Sequence, residues 1–324
     1  MRVAVIGAGQ FGRNHVRVVA QSPRAELAAV IDRDADRARQ AAAEFCPSAA
    51  VLTDYREAAR VADAAVVAAP TSAHAEIGCA LMEQGLDVLV EKPLAATVAE
   101  AEQLTDTARR TGRILQAGHL ERFNPAVQAL RRVVTLPLFF EIHRLSVFSP
   151  RSLDVDVILD LMIHDLDIVL DLVGGEPAEI HAAGISILSE KVDIANVRLQ
   201  FPGGCTANLT ASRVSTERVR KLRLFQPREY ISLDYTRQHA VRFQVDEQRQ
   251  ISYAELPAAR AEPLQAQWEA FVDAVERRSP PLVDGGAAAR ALRVAQAIID
   301  KIEMHRKIVE ETVRRRRSPS GNEA

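Results

Sequence analysis

Three side chains have types and positions suited to taking a proton from a hydroxyl group. Asp160 and His164 lie one helical turn apart in ILDLMIHDLDIVLDLV, a segment unusually apolar for a helix. A carboxylate one turn before an imidazole can orient the ring and raise its basicity, as a general base requires. Lys92, after a strand-like segment, can place a cation beside the oxygen that loses the proton. Together they favour removal of hydride from a carbinol carbon.

Each of these side chains has a neighbour or an alternative that needs no chemistry. Asp167 and Asp171 continue the stripe of Asp160, and for these two a water-facing stripe is an equally good interpretation. Lys92 could be a surface lysine after a strand, although the Lys-Pro pair at the strand's end argues against it.

A glycine-rich segment at the start of the chain is suited to binding a dinucleotide. Gly7, Gly9 and Gly12 have G-x-G-x-x-G spacing between the strand-like RVAVI and a helix-like segment, and Gln10 and Phe11 complete the predicted cofactor turn. Gly7 would make the turn, Gly9 would let a pyrophosphate approach the backbone, and Gly12 would let helix pack on strand. Free N–H groups at the helix start would bind the anion. A plain glycine turn with a capping aspartate is the alternative.

The next strand-like segment, LAAVID, predicts which dinucleotide binds. It ends on Asp32, twenty positions after Gly12, where a carboxylate can accept hydrogen bonds from an adenosine ribose. The same charge would repel a ribose 2′-phosphate, so NAD is the predicted cofactor. Arg33 next door leaves some tolerance for NADP.

The segments around these residues predict an α/β fold with two domains and a tail. Short β-branched segments alternate with helical ones up to about His119, which predicts a Rossmann dinucleotide-binding domain over 1–120 with a doubly wound parallel sheet. Longer alternating segments such as NVRLQFPGGCTANLTAS predict an α+β domain over 121–310 with an open, largely antiparallel sheet. Its hydroxyl-rich face would line a substrate cleft or pack on another subunit. Residues 311–324 are predicted to be a disordered tail.

The composition favours a small-molecule partner. The sequence has 41 basic and 43 acidic residues, and so balanced a charge gives no positive electrostatic potential that would attract nucleic acid or an anionic membrane. Cys46, Cys79 and Cys205 have no metal-like or C-x-x-C spacing, which fits a reduced compartment and predicts a cytoplasmic location. No signal peptide and no metal site are predicted.

Four motifs together, GAGQFGRNH, PTSAH, EKP and DLMIHDLD, resemble those of the Gfo/Idh/MocA family of oxidoreductases. The resemblance covers nearly the whole chain. It implies a nicotinamide-binding Rossmann domain and a C-terminal domain that binds a sugar or cyclitol and builds oligomers, here a homodimer or homotetramer. It also implies that Lys92 is the EKP lysine, and that Asp160 and His164 are the acid and histidine of the D-x-x-x-H motif. Lys92 and His164 would then act on one alcohol.

The same resemblance extends the predicted site. The predicted cofactor contacts include Pro70, Thr71, His74, Glu91 and Lys92. His74 could instead merely begin a helix, and His15 is interpreted only as a residue of the first helical turns. The segment QAGHLERFNPAV is similar to the family's crossover between domains. Arg122 and Asn124 in this segment are predicted substrate contacts. The alternative for Arg122 is an interdomain salt bridge.

The substrate is suggested by a narrower resemblance. DVDVIL stands where many relatives have glycines before the catalytic aspartate, whereas HLERFNP and VILDLMIHDLD resemble the branch that includes UDP-N-acetylglucosamine 3-dehydrogenases. Such a substrate needs cations for its diphosphate, and the candidates are Arg144, Arg151, Arg213, Arg218 and Lys221. Any one of them is more often a solvated strand residue. An inositol or free-sugar dehydrogenase, or a non-catalytic dinucleotide-sensing regulator, remains an alternative.

Overall fold

The computed structural model describes residues 1–148 and 155–317, and the chain divides into two compact units. The first unit contains residues 1–125 and 259–292, and the second contains residues 126–258 and the chain from Arg293 onward. The first unit thus includes a segment that the sequence assigns to the second domain.

The strands and helices are numbered in chain order. The strands are β1 (Arg2–Ile6), β2 (Glu26–Ile31), β3 (Ala50–Leu52), β4 (Ala64–Val67), β5 (Asp87–Glu91), β6 (Leu115–Gly118), β7 (Phe139–Val147), β8 (Glu179–Ile185), β9 (Ile194–Gln200), β10 (Thr206–Ser215), β11 (Val219–Gln226), β12 (Glu229–Asp234), β13 (His239–Val245) and β14 (Ile251–Glu255). The α-helices are α1 (Gln10–Gln21), α2 (Ala35–Phe45), α3 (Ala58–Val61), α4 (His74–Glu83), α5 (Val98–Thr111), α6 (Pro125–Val133), α7 (Ile163–Val173), α8 (Pro263–Arg277) and α9 (Gly285–Arg317).

The first unit is built on a six-stranded parallel sheet with the order β3-β2-β1-β4-β5-β6. Every residue of β4 and β5 is buried, as expected for strands covered by helices on both faces. The predicted doubly wound sheet is confirmed. Its strand order reverses between β1 and β4, and ligands of such sheets lie beyond the carboxyl ends of the strands at this point.

Helix α8 explains why the first unit takes in residues 259–292. Its apolar side chains Leu264, Trp268 and Phe271 belong to the same buried cluster as Val16 and Val19 of α1. Arg24 also forms ion pairs with three carboxylates of this helix, those of Glu269, Asp273 and Glu276. The helix completes the first core, so the boundary follows packing rather than chain order.

The second unit contains an eight-stranded sheet with the order β14-β13-β12-β11-β7-β10-β9-β8. Its strand pairs are antiparallel except for β7 and β10, which confirms the largely antiparallel sheet. The predicted hairpin is formed by β9 and β10, and Val197 and Leu199 are buried while Arg198 between them is exposed.

Helix α9 continues further than the sequence indicates. It extends to Arg317, so residues 311–317 are helical rather than part of a disordered tail. Arginine and glutamate are good helix formers, and Arg306 forms ion pairs with Glu303 and Glu310 one turn away on either side. Although α9 has 33 residues, neither it nor any other described helix is long and apolar enough to cross a membrane.

Candidate active site

The glycine turn joins β1 to α1 at the point where the sheet order reverses. Gly7 has a φ of +92°, and a Cβ on it would lie 2.5 Å from the carbonyl oxygen of Ala68. A Cβ on Gly12 would lie 1.8 Å from the carbonyl oxygen of Gly7, so the helix can approach the turn only without a side chain there. A Cβ on Gly9 would meet no described atom within 4 Å. That open position, followed by a helix start without acidic side chains, fits a pyrophosphate.

Asp32 is held against this turn. Its Oδ2 accepts a hydrogen bond of 2.7 Å from the Ala8 N–H, and its Oδ1 accepts one of 2.9 Å from the Asp34 N–H. The side chain keeps 11% of its surface exposed, so it can still accept hydrogen bonds from a ligand. Arg37, on α2, lies with Nη1 3.8 Å from Asp32 Oδ2.

A cavity of ≈ 380 Å³ opens beside the turn in the first unit. It is lined by Gly7, Asp32, Arg33 and Pro70, all predicted cofactor residues, and by Tyr55, which the sequence does not single out. Burial, and after it the hydrogen bond that the Tyr55 hydroxyl donates to Glu76 Oε1 at 2.7 Å, raises the pKa of that hydroxyl. The cavity therefore has cationic and hydrogen-bonding groups suited to an adenosine half, with Asp32 at the ribose position.

The side chain of His74 fastens the loop after β5. Its Nδ1 lies 2.9 Å from the Pro93 carbonyl oxygen and its Nε2 lies 2.9 Å from the Ala69 carbonyl oxygen. The ring is buried at the first residue of α4, just after the short 3-10 helix Thr71–Ala73. His74 therefore holds the ends of β4 and β5 together, which neither sequence interpretation includes.

Lys92 follows β5 directly, and its backbone is tied to the preceding residue. The Lys92 N–H donates to Glu91 Oε2 at 3.2 Å, and the Lys92–Pro93 peptide bond is cis. The other oxygen of Glu91, Oε1, lies 2.8 Å from His15 Nε2, and both side chains are buried. Sequence reasoning missed His15 as a partner of Glu91. Its position one turn after Gly12, on the helix face that covers the sheet, is the signal that could have identified it.

Arg122 and Asn124 are buried in the first unit, around the short 3-10 helix Leu120–Phe123. Arg122 Nη2 donates to the Leu282 carbonyl oxygen at 3.4 Å, and Asn124 Nδ2 donates to Glu121 Oε2 at 3.2 Å. These contacts fix both residues beside the carboxyl end of β6.

Asp160 and His164 lie at an irregular place in the second unit. A π-helical turn, Ile158–Met162, contains Asp160 and leads directly into α7, where His164 is the second residue. Both side chains are partly exposed, whereas Met162 and Ile163 between them are buried. Wide turns of this kind are frequent at functional sites, and this one presents an acid and a histidine on an otherwise apolar segment.

The two aspartates that continue the predicted acidic stripe differ in their exposure to solvent. Asp167 is buried, so the water-facing interpretation is wrong for it. Asp171 is partly exposed, and its Oδ2 lies 3.1 Å from Arg131 Nε.

Arg144 is engaged in a buried ion pair rather than presented to a substrate. Its Nε and Nη2 donate to Asp165 at 2.6 and 2.8 Å, and its guanidinium group lies 4.9 Å from the centre of the Tyr235 ring. The whole residue is 2% exposed. From the sequence, Arg144 is expected to bind a diphosphate through two hydrogen bonds. In the structure it donates both to the carboxylate of Asp165, because α7 places Asp165 against β7.

We expect Asp165→Ala to lower the free energy of unfolding of the second unit by about 3–5 kcal/mol, because it leaves the Arg144 charge buried without its carboxylate. Urea denaturation measures this loss. Arg144→Met combined with Asp165→Leu should recover most of it. Glu176→Ala, which breaks an exposed pair with Arg293 in the same unit, is the control and should cost about 0–1 kcal/mol. Equal losses of unfolding free energy in Asp165→Ala and Glu176→Ala would contradict the assignment of Arg144 to a buried ion pair.

Arg213 is also buried in contacts within the second unit. Its Nη2 donates to the carbonyl oxygens of Val155 and Val192, and its Nε lies 3.6 Å from Asp193 Oδ1. Burial opposes the ionisation of Asp193, but N–H groups of Leu188, Ile187 and Ser189 outweigh it and hold the pKa of Asp193 below its usual value. The contacts of Arg213 therefore depart from its predicted diphosphate role. Arg151, another arginine of that prediction, lies outside the described residues.

Comparisons with known proteins match this architecture. A family model described as an oxidoreductase family with an NAD-binding Rossmann fold matches residues 1–119, and one for the GFO/IDH/MocA C-terminal domain matches residues 142–228. The chain is 36% identical to the UDP-N-acetylglucosamine 3-dehydrogenase of Acidithiobacillus ferrooxidans, over 94% of this chain and 97% of that one.

A solved structure of that dehydrogenase has a TM-score of 0.88 to this chain, at 35% identity, and covers 94% of this chain and 98% of its own. The scyllo-inositol 2-dehydrogenase (NAD(+)) of Bacillus subtilis is 29% identical over 66% of this chain and 68% of its own. Both domains are matched in order, and the similarity runs along nearly the whole chain, so the predicted family is confirmed: the chain belongs to the Gfo/Idh/MocA family, as an NAD(P)-dependent dehydrogenase that acts on CH–OH groups.

Proposed function

We propose that this dehydrogenase oxidises the 3-hydroxyl of UDP-N-acetylglucosamine to a ketone. The observation that carries the proposal is the similarity to the UDP-N-acetylglucosamine 3-dehydrogenase of Acidithiobacillus ferrooxidans, which extends over 94% of this chain. The Bacillus subtilis inositol dehydrogenase is less similar, at 29% identity against 36%. The higher identity supports a nucleotide sugar over a cyclitol.

The proposed chemistry is divided among three side chains. His164 takes the proton of the hydroxyl, and Asp160 orients the ring and stabilises the imidazolium that forms. Lys92 places its ammonium beside the oxygen, whose negative charge grows as the proton leaves. Bound NAD supplies the acceptor for the hydride of the carbinol carbon. The presence of this trio weighs against a regulator that only senses the dinucleotide.

The diphosphate of the substrate is assigned to an exposed cationic cavity instead of to Arg144 and Arg213. This cavity, of ≈ 310 Å³, lies in the second unit where β11 begins and β12 ends. Its lining includes four cationic residues, Arg218, Arg220, Lys221 and Arg237, together with Glu217 and Asp234. Arg218 and Lys221 are exposed, as a phosphate contact requires.

The substrate is tested by following the absorbance of reduced nicotinamide with NAD and each candidate in turn. We expect turnover with UDP-N-acetylglucosamine and little with myo-inositol or glucose. Free N-acetylglucosamine is the matched control, because it keeps the 3-hydroxyl but lacks the diphosphate and should react poorly. Turnover with inositol alone would overturn the proposal.

Replacing Asp32 tests the dinucleotide site. Asp32→Ala should weaken NADH binding by about 1.5–3 kcal/mol, the value of hydrogen bonds to a charged group, and should weaken NADPH binding less because a 2′-phosphate no longer meets a carboxylate. Fluorescence titration with each dinucleotide measures both. Asp36→Ala, a highly exposed acid on the neighbouring helix, is the control and should change neither. Equal weakening of NADH and NADPH would contradict the role given to Asp32.

A homodimer or homotetramer is proposed from one face of the second sheet. A row of neighbouring rings crosses its strands, comprising Phe139, Phe225, Tyr230, Phe243 and Tyr253. Tyr253 is 56% exposed, and Ile251 and Leu138 are exposed large apolar residues of the same unit. Apolar surface of this kind typically marks an interface between proteins. Light scattering that gives the mass of a single chain at micromolar concentration would contradict this proposal.

A further inference from the structure

A series of contacts in the first unit connects the glycine turn to the backbone of Lys92. Phe11, the second residue of α1, is 42% exposed, and its ring packs edge-on against His15 with 5.5 Å between ring centres. His15 Nε2 lies 2.8 Å from Glu91 Oε1, and Glu91 Oε2 accepts the Lys92 N–H at 3.2 Å. The residue that a dinucleotide would meet at the turn is therefore connected to the proposed catalytic lysine by three successive contacts.

The carboxylate of Glu91, at the centre of this series of contacts, has little freedom to move. The side chains of His15 and Glu91 are 1% and 9% exposed, so water scarcely competes for their contact. A Cβ on Gly118 of β6 would lie 2.6 Å from Glu91 Oε1, so the strand beside it touches the carboxylate. Gln267 of α8 places Nε2 3.5 Å from the same oxygen. A buried carboxylate must keep its donors, and these neighbours hold Glu91 where it meets both His15 and Lys92.

The orientation of the His15 ring depends on Glu91. An ionised carboxylate is only an acceptor, so Nε2 must present its N–H to Glu91. The other ring nitrogen, Nδ1, is buried and meets no hydrogen-bond partner in the part of the chain that the structure describes. The ring is thus held by one hydrogen bond and by the edge of Phe11. A change at Phe11 can be transmitted to Glu91 through His15, because nothing else described fixes the ring by hydrogen bonding.

We propose that His15 is a positioning residue that couples occupation of the dinucleotide site to the placement of Lys92. When NAD binds at the glycine turn, Phe11 is fixed, His15 is held against Glu91, and Glu91 holds the backbone N–H of Lys92. Lys92 is then held in place more firmly in the NAD-loaded protein than in the free protein. The rate measurement for this proposal depends on the proposed function, whereas the labelling measurement below does not.

The rate measurement compares two replacements of His15. His15→Met removes the donor to Glu91, and we expect kcat to fall by about 10- to 100-fold, the scale of a misplacement of about 1 Å. His15→Gln keeps an amide donor at a similar reach and should recover most of the rate. In a Lys92→Ala background, His15→Met should change the residual rate little, because its effect passes through Lys92. Additive losses would overturn the proposal.

The labelling measurement needs no substrate. Lys92 is the only lysine in residues 1–125 and 259–292, so acetylation of the first unit's lysine can be followed by mass spectrometry without ambiguity. NADH should slow acetylation of Lys92 in the unaltered chain and in His15→Gln, and this protection should be largely lost in His15→Met at saturating NADH. Undiminished protection in His15→Met would overturn the coupling, even if the substrate proposal were also to fail.

A structural control separates this effect from simple destabilisation. Val19→Ala removes buried apolar contact from the same helix without touching the contacts of Glu91. It should lower the melting temperature while leaving both kcat and the NADH-dependent protection of Lys92 unchanged. If Val19→Ala reproduced the behaviour of His15→Met, the role of His15 would be structural only, and the proposal would be wrong.

Discussion

His164→Ala is expected to lower kcat by about 10²–10⁴-fold, the usual contribution of a positioned general base. The imidazole is proposed to take the hydroxyl proton, and without it the alcohol must lose hydride while still protonated. His164 is partly exposed at the start of α7, so its removal opens no cavity in the core. Steady-state rates with NAD and UDP-N-acetylglucosamine measure the loss.

Two further measurements separate a missing base from a damaged fold. NADH affinity should stay unchanged, since the glycine turn belongs to the first unit and His164 to the second. Imidazole added to His164→Ala should restore part of the rate. His181→Ala, an exposed histidine on β8 with 67% of its side chain accessible, is the control and should behave like the unaltered chain. A near-normal kcat in His164→Ala would remove His164 from the mechanism.

The glycine turn could be predicted from the sequence because its determinants are local. The positive φ of Gly7 and the close approach of Gly12 to the Gly7 carbonyl are steric requirements of a strand-to-helix turn. Asp32 follows within one strand–helix–strand unit, so its position beside the turn also depends on short-range geometry. The structure has this turn, with Asp32 hydrogen-bonded to Ala8 in it.

The roles of the arginines could not be predicted, because burial of a guanidinium depends on partners that are distant in the chain. Arg144 meets Asp165 only because β7 and α7 pack together, and Arg213 of β10 meets Asp193, the residue before β9, only because these two strands pair. One sequence signal was available: Asp165 lies within a long apolar segment, and a buried carboxylate needs a cation or several donors. That signal indicates that a partner exists without identifying it.

The same limit applies to the first unit. Helix α8 follows the whole second sheet in the chain, yet its Trp268 and Phe271 complete the core around α1. His15 and Glu91 are separated by β2, β3 and β4, and their contact appears only when α1 lies over the sheet. Periodicity predicts that a helix has a buried face, but not which core receives it.

Lys92→Ala is expected to lower kcat by about 10²–10³-fold, the loss seen when a group that stabilises a developing oxyanion is removed. The ammonium is proposed to lie beside the oxygen that becomes negative, so its effect is larger in the transition state than in the bound substrate. KM should therefore change much less than kcat. Steady-state rates give both constants, and NADH titration should show an affinity close to that of the unaltered chain.

Lys92→Arg distinguishes a specific ammonium from a general positive charge. Lys92 is the only lysine before Lys191, although the other basic residues of the chain are mainly arginines. A lysine at this position is therefore unusual for the chain, which suggests that the site needs an ammonium group. The guanidinium is planar and wider, and after the tightly held Glu91 it cannot place a compact charge at the same point. We expect Lys92→Arg to recover little of the rate. If Lys92→Ala keeps a near-normal kcat, or if Lys92→Arg is fully active, the proposed contact between a lysine ammonium and the alcohol oxygen is wrong.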